Sequence, residues 1–598
     1  MTGRFKSSIV LALLFTSAAV FSSSLWAQSG EKLLPAPSSS SHTDSGARTD
    51  SLAEQLRALT RQVALQQQEI NELRIELEKQ QKVPSRVTEK ARLHEPPPSV
   101  TSRSPRSGRT EEVRASASSQ TPEPTEPRAN EPEVATAAGK PMAGSPAKQA
   151  QSPSSLESSQ NRNPALTNSP VTPIPLHIGS ATLTPVGFVD ATEFFRTTNV
   201  GSGIGTSFGS IPFSNTLQGR LSENRFTIQN SRLGLEMDTD FSANRVRAYL
   251  ETDFLGLQPG NAFVTSNSDS LRMRLYWVDL SRGKFEFLAG QSWSLLTPGR
   301  TGISPMPADI FYTEDMDTNY QVGLAWARQL QFRFVYHASP RVAAAISLED
   351  AEQYVGAGVT LPPGFSASQV STGAATSTPN TFPDVVGKLA FDPEVGGKHL
   401  HFELAGVLSR FRTYSSEFGR TAAVEGGGGS FNFNLELFKH FHLVESSFLS
   451  RGEGRYVVGL GPDFVVHPDG TPSLVTADSG VAGFEYQATP RVMFYGYYGG
   501  VYLGRNFSVI PVTNPESAPI YIGYGYPAAS ALSPAQNRAI QEPTFGIIRN
   551  FWKSPRYGAL QLITQYSYLT RAPWYVAPES PKNAHLSQAY ADIRYVLP

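Results

Sequence analysis

Arginines two residues apart are the groups in this chain best suited to chemistry with an anion. "NRVRAYLETDF" (Asn244–Phe254) carries Arg245 and Arg247, "SLRMRLYWVDL" (Ser270–Leu280) carries Arg272 and Arg274, and Arg232 and Arg333 occupy similar settings. A guanidinium stays charged at any physiological pH, and its fork of N–H donors grips a carboxylate bidentately. Glu251 and Asp253 share the alternate positions of Arg245 and Arg247. A second charged group is acidic: Asp309, Glu314, Asp315 and Asp317 fall within Ser294–Gln321, a segment long enough to fold inward and narrow an opening. Set across an aqueous space from the arginines, these acids would create a transverse field that steers charged solutes. The plainer alternative places the acids on an ordinary surface loop and pairs the arginines with Glu236, Glu251 and Asp253.

Constellations for catalysis or metal binding are weaker. "GTSFG" (Gly205–Gly209) matches a nucleophile elbow in letters, but it lies in a Gly/Ser loop with no helix after it, so chance is the better account. His440 and His442 are spaced to share one strand face as a metal pair, yet lumen or turn histidines are commoner, and His401 stands apart. No zinc-protease, P-loop or calcium-loop pattern is present. With no cysteine there is no thiolate chemistry and no disulfide. The expectation is no catalytic residue, no metal and no cofactor. A net charge of −1 gives no reason to expect a nucleic-acid partner.

The elements that must position the arginines are strands. In Asn244–Phe254 one set of alternate residues is Val246, Ala248, Leu250, Thr252 and Phe254; the other is Arg245, Arg247, Tyr249, Glu251 and Asp253. Strict alternation marks a strand with two unlike faces. Facing lipid at mid-membrane, each arginine would cost about 2–4 kcal/mol; facing water inside a barrel it costs almost nothing. Similar runs recur from 178 to 598 around short turns at Ser242–Asn244, Arg282–Gly283, Ser339–Pro340 and Thr489–Pro490, and these alternate with long insertions such as 356–383 and 510–542. Short turns at one end and long loops at the other are the asymmetry of an outer-membrane barrel, as are aromatic pairs at run ends (Tyr276-Trp277, Phe551-Trp552, Trp574-Tyr575). The terminal "AYADIRYVLP" supplies a closing amphipathic strand. The predicted fold is an all-β transmembrane antiparallel barrel of about 16 strands, with an N-terminal α-helical coiled coil and a disordered linker.

Ahead of the barrel the only aromatics are Phe5, Phe15, Phe21 and Trp26. They belong to residues 1–27, where a basic start, an apolar run from Ile9 to Phe21 and Ala27 form the pattern of a signal peptide. Within 50–82, Leu56, Val63, Ile70 and Leu77 at a and Leu52, Leu59, Gln66, Leu73 and Gln80 at d make a heptad seam for a self-associating stalk. Residues 83–177, with 16 prolines and no aromatic, cannot bury enough apolar surface to offset their ordering entropy. As a flexible coil they reach about 55 Å.

"NSRLGLE" (Asn230–Glu236), "AYLETDF" (Ala248–Phe254), "RLYWVDL" (Arg274–Leu280), "AGQSWSLL" (Ala289–Leu296) and "RYVLP" (Arg594–Pro598) resemble the DcaP-like porins of outer membranes. The resemblance covers the coiled coil and the barrel. It implies a trimeric 16-stranded barrel that passes small hydrophilic solutes, carboxylates among them. The polar faces are then expected to put Arg232, Arg245, Arg247, Glu251, Asp253, Arg272, Arg274 and Arg333 along the pore. The expected partners are outer-membrane lipid, two further copies of the chain, small anionic solutes and, through a periplasmic stalk, the cell wall. An envelope-spanning structural barrel with a plugged lumen, or an outer-membrane lipase, are the alternatives.

Overall fold

The short turns and alternating runs close on themselves. A computed structural model describes residues 176–598 apart from 257–268, 307–309, 316–319, 357, 374–377, 459, 513–518, 528–535 and 577. The signal-peptide and coiled-coil assignments, the linker to residue 175, and Asp309 and Asp317 lie outside the described residues. Sixteen staves run antiparallel: β1 (Ala181–Arg196), β2 (Glu223–Thr227 and, after a break, Arg232–Phe241), β3 (Asn244–Asp253), β4 (Arg272–Arg282), β5 (Phe285–Trp293), β6 (Arg328–Ser339), β7 (Val342–Glu349), β8 (Asp384–Phe391), β9 (Lys398–Ser415), β10 (Arg420–Phe438), β11 (Phe441–Arg451), β12 (Ala477–Thr489), β13 (Val492–Leu503), β14 (Asn537–Ser554), β15 (Gly558–Pro573) and β16 (Ala584–Val596). The seam joins β1 to β16, from Phe188 opposite Val596 to Arg196 opposite Gln588. A three-residue strand, Leu176–Ile178, folds back on the start of β1. Its first two residues were assigned to the linker by composition; pairing of Leu176 with Leu183 brings them into the sheet.

Alternation sorts the side chains as the physical argument requires. Val189, Leu250, Val278, Phe332, Leu389, Leu404, Tyr566 and Ile593 are exposed on the outside, while Asp190, Asp253, Arg274, Glu349, Asp384, Glu403, Glu542 and Asp592 are buried inside. A closed sheet leaves no unpaired edge, and an apolar outer belt around a polar interior is the arrangement a bilayer accepts. No described helix is long and apolar enough to cross a membrane.

Two sequence expectations need correction. Trp277 is not an interfacial aromatic: it is 3% exposed, points inward and stacks on Tyr249 at 5.7 Å. The cause is a bulge opposite the Glu251/Thr252 step, where Glu251 faces Leu275 and Thr252 faces Met273. The extra residue turns both Arg274 and Leu275 inward and reverses the alternation beyond them, so Val278 and Leu280 point outward. His440 and His442 do not share a strand face. His440 stands in the β10–β11 turn at φ 67°, and His442 bonds Asn434 at 2.9 Å.

Candidate functional site

The interior is built by long loops that fold into the barrel and by wall side chains that hold them there. The 294–327 loop is the most heavily anchored. Near its start the Gly299 N–H donates to Glu403 at 3.0 Å, and Lys388 bridges Glu403 (2.9 Å) and the Thr297 carbonyl (2.7 Å). Arg300 makes a bidentate pair with Glu485 on β12 at 2.8 and 2.6 Å and donates to the Ile310 carbonyl at 2.7 Å. Both carboxylate oxygens of Glu314 accept from a single nitrogen, Nη2, of Arg594 on β16, at 2.9 and 3.0 Å. Asp315 accepts from Gln565, Ser567 and Gln588 at 2.7–2.8 Å. At the far end the Val322 N–H donates to Glu542 at 2.9 Å. Here the backbone lies directly on the wall, where Gly323 has φ +98° and a Cβ at Gly499 would overlap the Val322 carbonyl. Only glycine permits such an approach.

Other loops follow the same plan. Arg196 donates to the Gly203 and Ile204 carbonyls (2.9 and 2.6 Å), and Arg571 to those of Ile211 and Gly209 (2.9 and 3.1 Å). Between them Phe208, Ile211 and Phe213 are wholly buried. Arg455 in the 452–476 loop pairs with Asp463 at 3.0 Å and with Asp384 on β8. Sequence reasoning did not single out Arg196, Arg300, Arg455, Arg571 or Arg594. The apolar residues set among the Gly and Ser of 201–214 were the available signal that this loop packs inside.

The arginines that alternation picked out occupy several different environments. Arg274, fully buried, contacts Glu251 at 2.6 Å and Asp253 at 2.7 Å, and Arg272 meets the same Asp253 at 2.6 Å. Tyr249 completes this group by donating to Glu251 at 2.9 Å. Near the short-turn end, Arg245 pairs with Asp238, and Arg247 lies 3.6 Å from Asp238 and 3.9 Å from Glu236. Arg232 sits over the Phe188 ring at 5.4 Å. Arg333 bonds Gln331 and the Trp293 carbonyl and lines, with Lys388 and Glu403, a cavity of about 80 Å³ behind residues 292–306. Glu314 and Asp315 are joined by their hydrogen bonds to β15 and β16, and Glu314 also accepts from Asn230 at 3.2 Å.

A cavity of about 1610 Å³ opens at the long-loop end. Arg225, Arg272, Arg328 and Arg455 line it against Asp350 and Glu352, and Tyr320 and Trp326 form an edge-to-face pair at 4.5 Å on its wall. Asp190, Glu314 and Asp592 bring carboxylate oxygens within 4.8 Å of one another, the only such acidic group among the described residues. Arg594 touches all three at 2.7, 2.9 and 3.0 Å, supplying the positive charge that a metal would bring. Burial pushes the Glu314 carboxyl up to about 8, against the pull of Arg594, and the Asp315 carboxyl up to about 7. Ser207 of "GTSFG" precedes a single 3₁₀ turn, Phe208–Ser210, and not a strand-to-helix elbow.

No family model matches this chain, and no curated protein matches it. Among solved structures it is similar to the outer membrane channel DcaP of Acinetobacter baumannii, at 15% identity over 70% of this chain and 98% of that one, with a TM-score of 0.49. It is similar to OprB of Pseudomonas putida (11% identity, 69% of this chain and 94% of that one, TM-score 0.40). A third is an anion-selective porin from Comamonas acidovorans (13% identity, 70% and 99%, TM-score 0.39).

Proposed function

We propose that this chain is an outer-membrane porin through which small hydrophilic solutes, anionic carboxylates above all, diffuse passively. The observation that carries the reading is the cavity of about 1610 Å³ inside a closed 16-stave barrel, with four arginines and two acids on its lining. Ion pairs hold the guanidinium groups of the lining in fixed positions: Arg272 is paired with Asp253, and Arg455 with Asp463. Successive weak contacts favour entry without trapping the solute. The 294–327 loop is the constriction in this reading, with Glu314 and Asp315 as its anchors. Arg232, Arg245, Arg247, Glu251, Asp253, Arg274 and Arg333 set the field along the wall, chiefly through paired charges. Proteoliposome swelling tests the reading. Small mono- and dicarboxylates should enter faster than neutral sugars of equal size, and Arg225→Gln with Arg328→Gln should reduce that advantage. Equal rates for acids and sugars in both proteins would refute the anionic preference, and absence of swelling would refute the channel.

The stalk and tether belong to the same proposal. The barrel forms a homotrimer in the outer membrane, with residues 50–82 holding the N-termini together in the periplasm, within reach of the cell wall.

A further inference from the structure

The outside of the barrel carries a feature that the pore does not use. On β8, β9 and β10 three glycines lie in one row: Gly387 opposite Gly406, and Gly406 opposite Gly429, with Ile346 and Leu449 at the two ends. All three are on the outward face, where Leu389, Leu404, Leu408 and Leu449 are exposed. The backbone does not require glycine here. None of the three has positive φ, and a Cβ would come no nearer than 4.0, 3.6 and 3.7 Å to its surroundings, ordinary contact. A strand interior loses stability with glycine, so the missing side chains leave space for something. Gly387 and Gly406 line a depression of about 510 Å³ bordered by Phe334, Tyr336, Ile346, Leu389 and Leu404.

Directly toward the long-loop end the apolar surface gives way to arginine. The outward positions of β9 run Leu400, Phe402, Leu404, Gly406, Leu408, then Arg410 and Arg412; those of β11 run from Phe441 to Leu449, then Arg451. Glu445 in the middle of the β11 run is buried. About nine residues of tilted strand cross the hydrocarbon of a bilayer, so Arg410 and Arg451 stand at the first outward positions beyond it. All three arginines are exposed; Glu425 lies opposite Arg410, and Asp478, half-buried, accepts from the Ser450 N–H beside Arg451. Gly427, opposite both Leu408 and Arg451, carries the side-chain-free surface up to the charges.

We propose that this face is a binding site for a phosphate-bearing lipid of the surrounding outer leaflet. Its acyl chain lies in the glycine depression and its phosphate is held by Arg410, Arg412 and Arg451. Arginine forks match phosphate oxygens bidentately, and near a membrane surface the pairing is strengthened by partial desolvation. Charge complementarity selects the occupant, because three guanidinium groups against Glu425 and the half-buried Asp478, whose carboxylate accepts from the Ser450 N–H, leave an excess of positive charge that needs an anion. The proposal rests on the outer-membrane reading and is independent of what the channel passes.

The test uses the full chain purified in detergent, with bisphosphorylated lipid A as probe and native mass spectrometry as readout. Heat-modifiable gel migration confirms that each variant is folded. Wild type should bind the probe about tenfold more tightly than its dephosphorylated form, and Arg410→Gln/Arg412→Gln/Arg451→Gln should lose that factor. Gly387→Leu/Gly406→Leu, with the arginines intact, should weaken binding by filling the depression. Millimolar inorganic phosphate should not displace the lipid. Equal binding by wild type and the triple variant, or displacement by free phosphate, would overturn the proposal. So would a change of oligomeric state in the glycine variant with lipid binding retained, which would give this face to a second copy of the chain.

Discussion

At the scale of single residues, the interior arginines act mainly through what they are bonded to. Arg274 between Glu251 and Asp253 shows how far alternation can be read. The inward face of Arg274 was legible from spacing, and all three residues could be placed on one polar surface. The pairing itself was not, because it depends on which position of β4 lies beside β3, and the bulge at Arg274 changes that register. Glu314 presents a similar limit. Its acidity marked the loop, but its partner, Arg594, is 280 residues away in sequence. Its buried carboxyl is pushed up to about 8, above an ordinary value of 4.5, so the closed site favours the protonated form. The loop anchor is therefore complete below about pH 4.5 and weakens as pH rises through about 8. Single-channel conductance should become larger and noisier in that alkaline range. Glu314→Gln, which keeps the hydrogen bond without the charge, should flatten the dependence; an unchanged pH profile in this variant would assign the effect to other groups.

At the scale of elements, the staves were readable and most of the inward loops were not. Turns at Ser242, Gly283, Pro340 and Pro490 were visible because alternation stops there and resumes in the next strand. The 294–327 loop was visible by its length and acids. The 197–222 loop reads as Gly/Ser spacer until its apolar residues are seen against Arg571 and the wall. Loop backbone resting on wall glycine is a relation no single strand displays. It yields a direct expectation: Gly499→Ala should push Val322 and Gly323 off β13, destabilise the barrel by about 1–3 kcal/mol and widen the passage. Thermal melting and conductance measure the two effects. A variant with wild-type conductance and melting would show that the loop does not rest on this wall position.

At the scale of the whole molecule, the barrel rests on a consistent argument from residue pattern to membrane. Outward leucines and phenylalanines, inward charges and a closed seam make one solution, and the strand count followed from the length of the patterned region divided by that of a strand-and-loop unit. The heptads and the proline-rich segment extend the proposal to the periplasm. Deleting residues 28–177 should leave a folded trimer in mild detergent. A monomer would show that the stalk governs assembly.

The central claim is that the interior field of this barrel admits anions in preference to cations. Its most direct test is the reversal potential of the reconstituted full chain across a potassium chloride gradient. The account predicts an anion-selective potential that moves toward cations when Arg225, Arg272 and Arg328 are replaced together by glutamine. A wild-type channel that is already cation-selective, with a potential unmoved by those replacements, would contradict it.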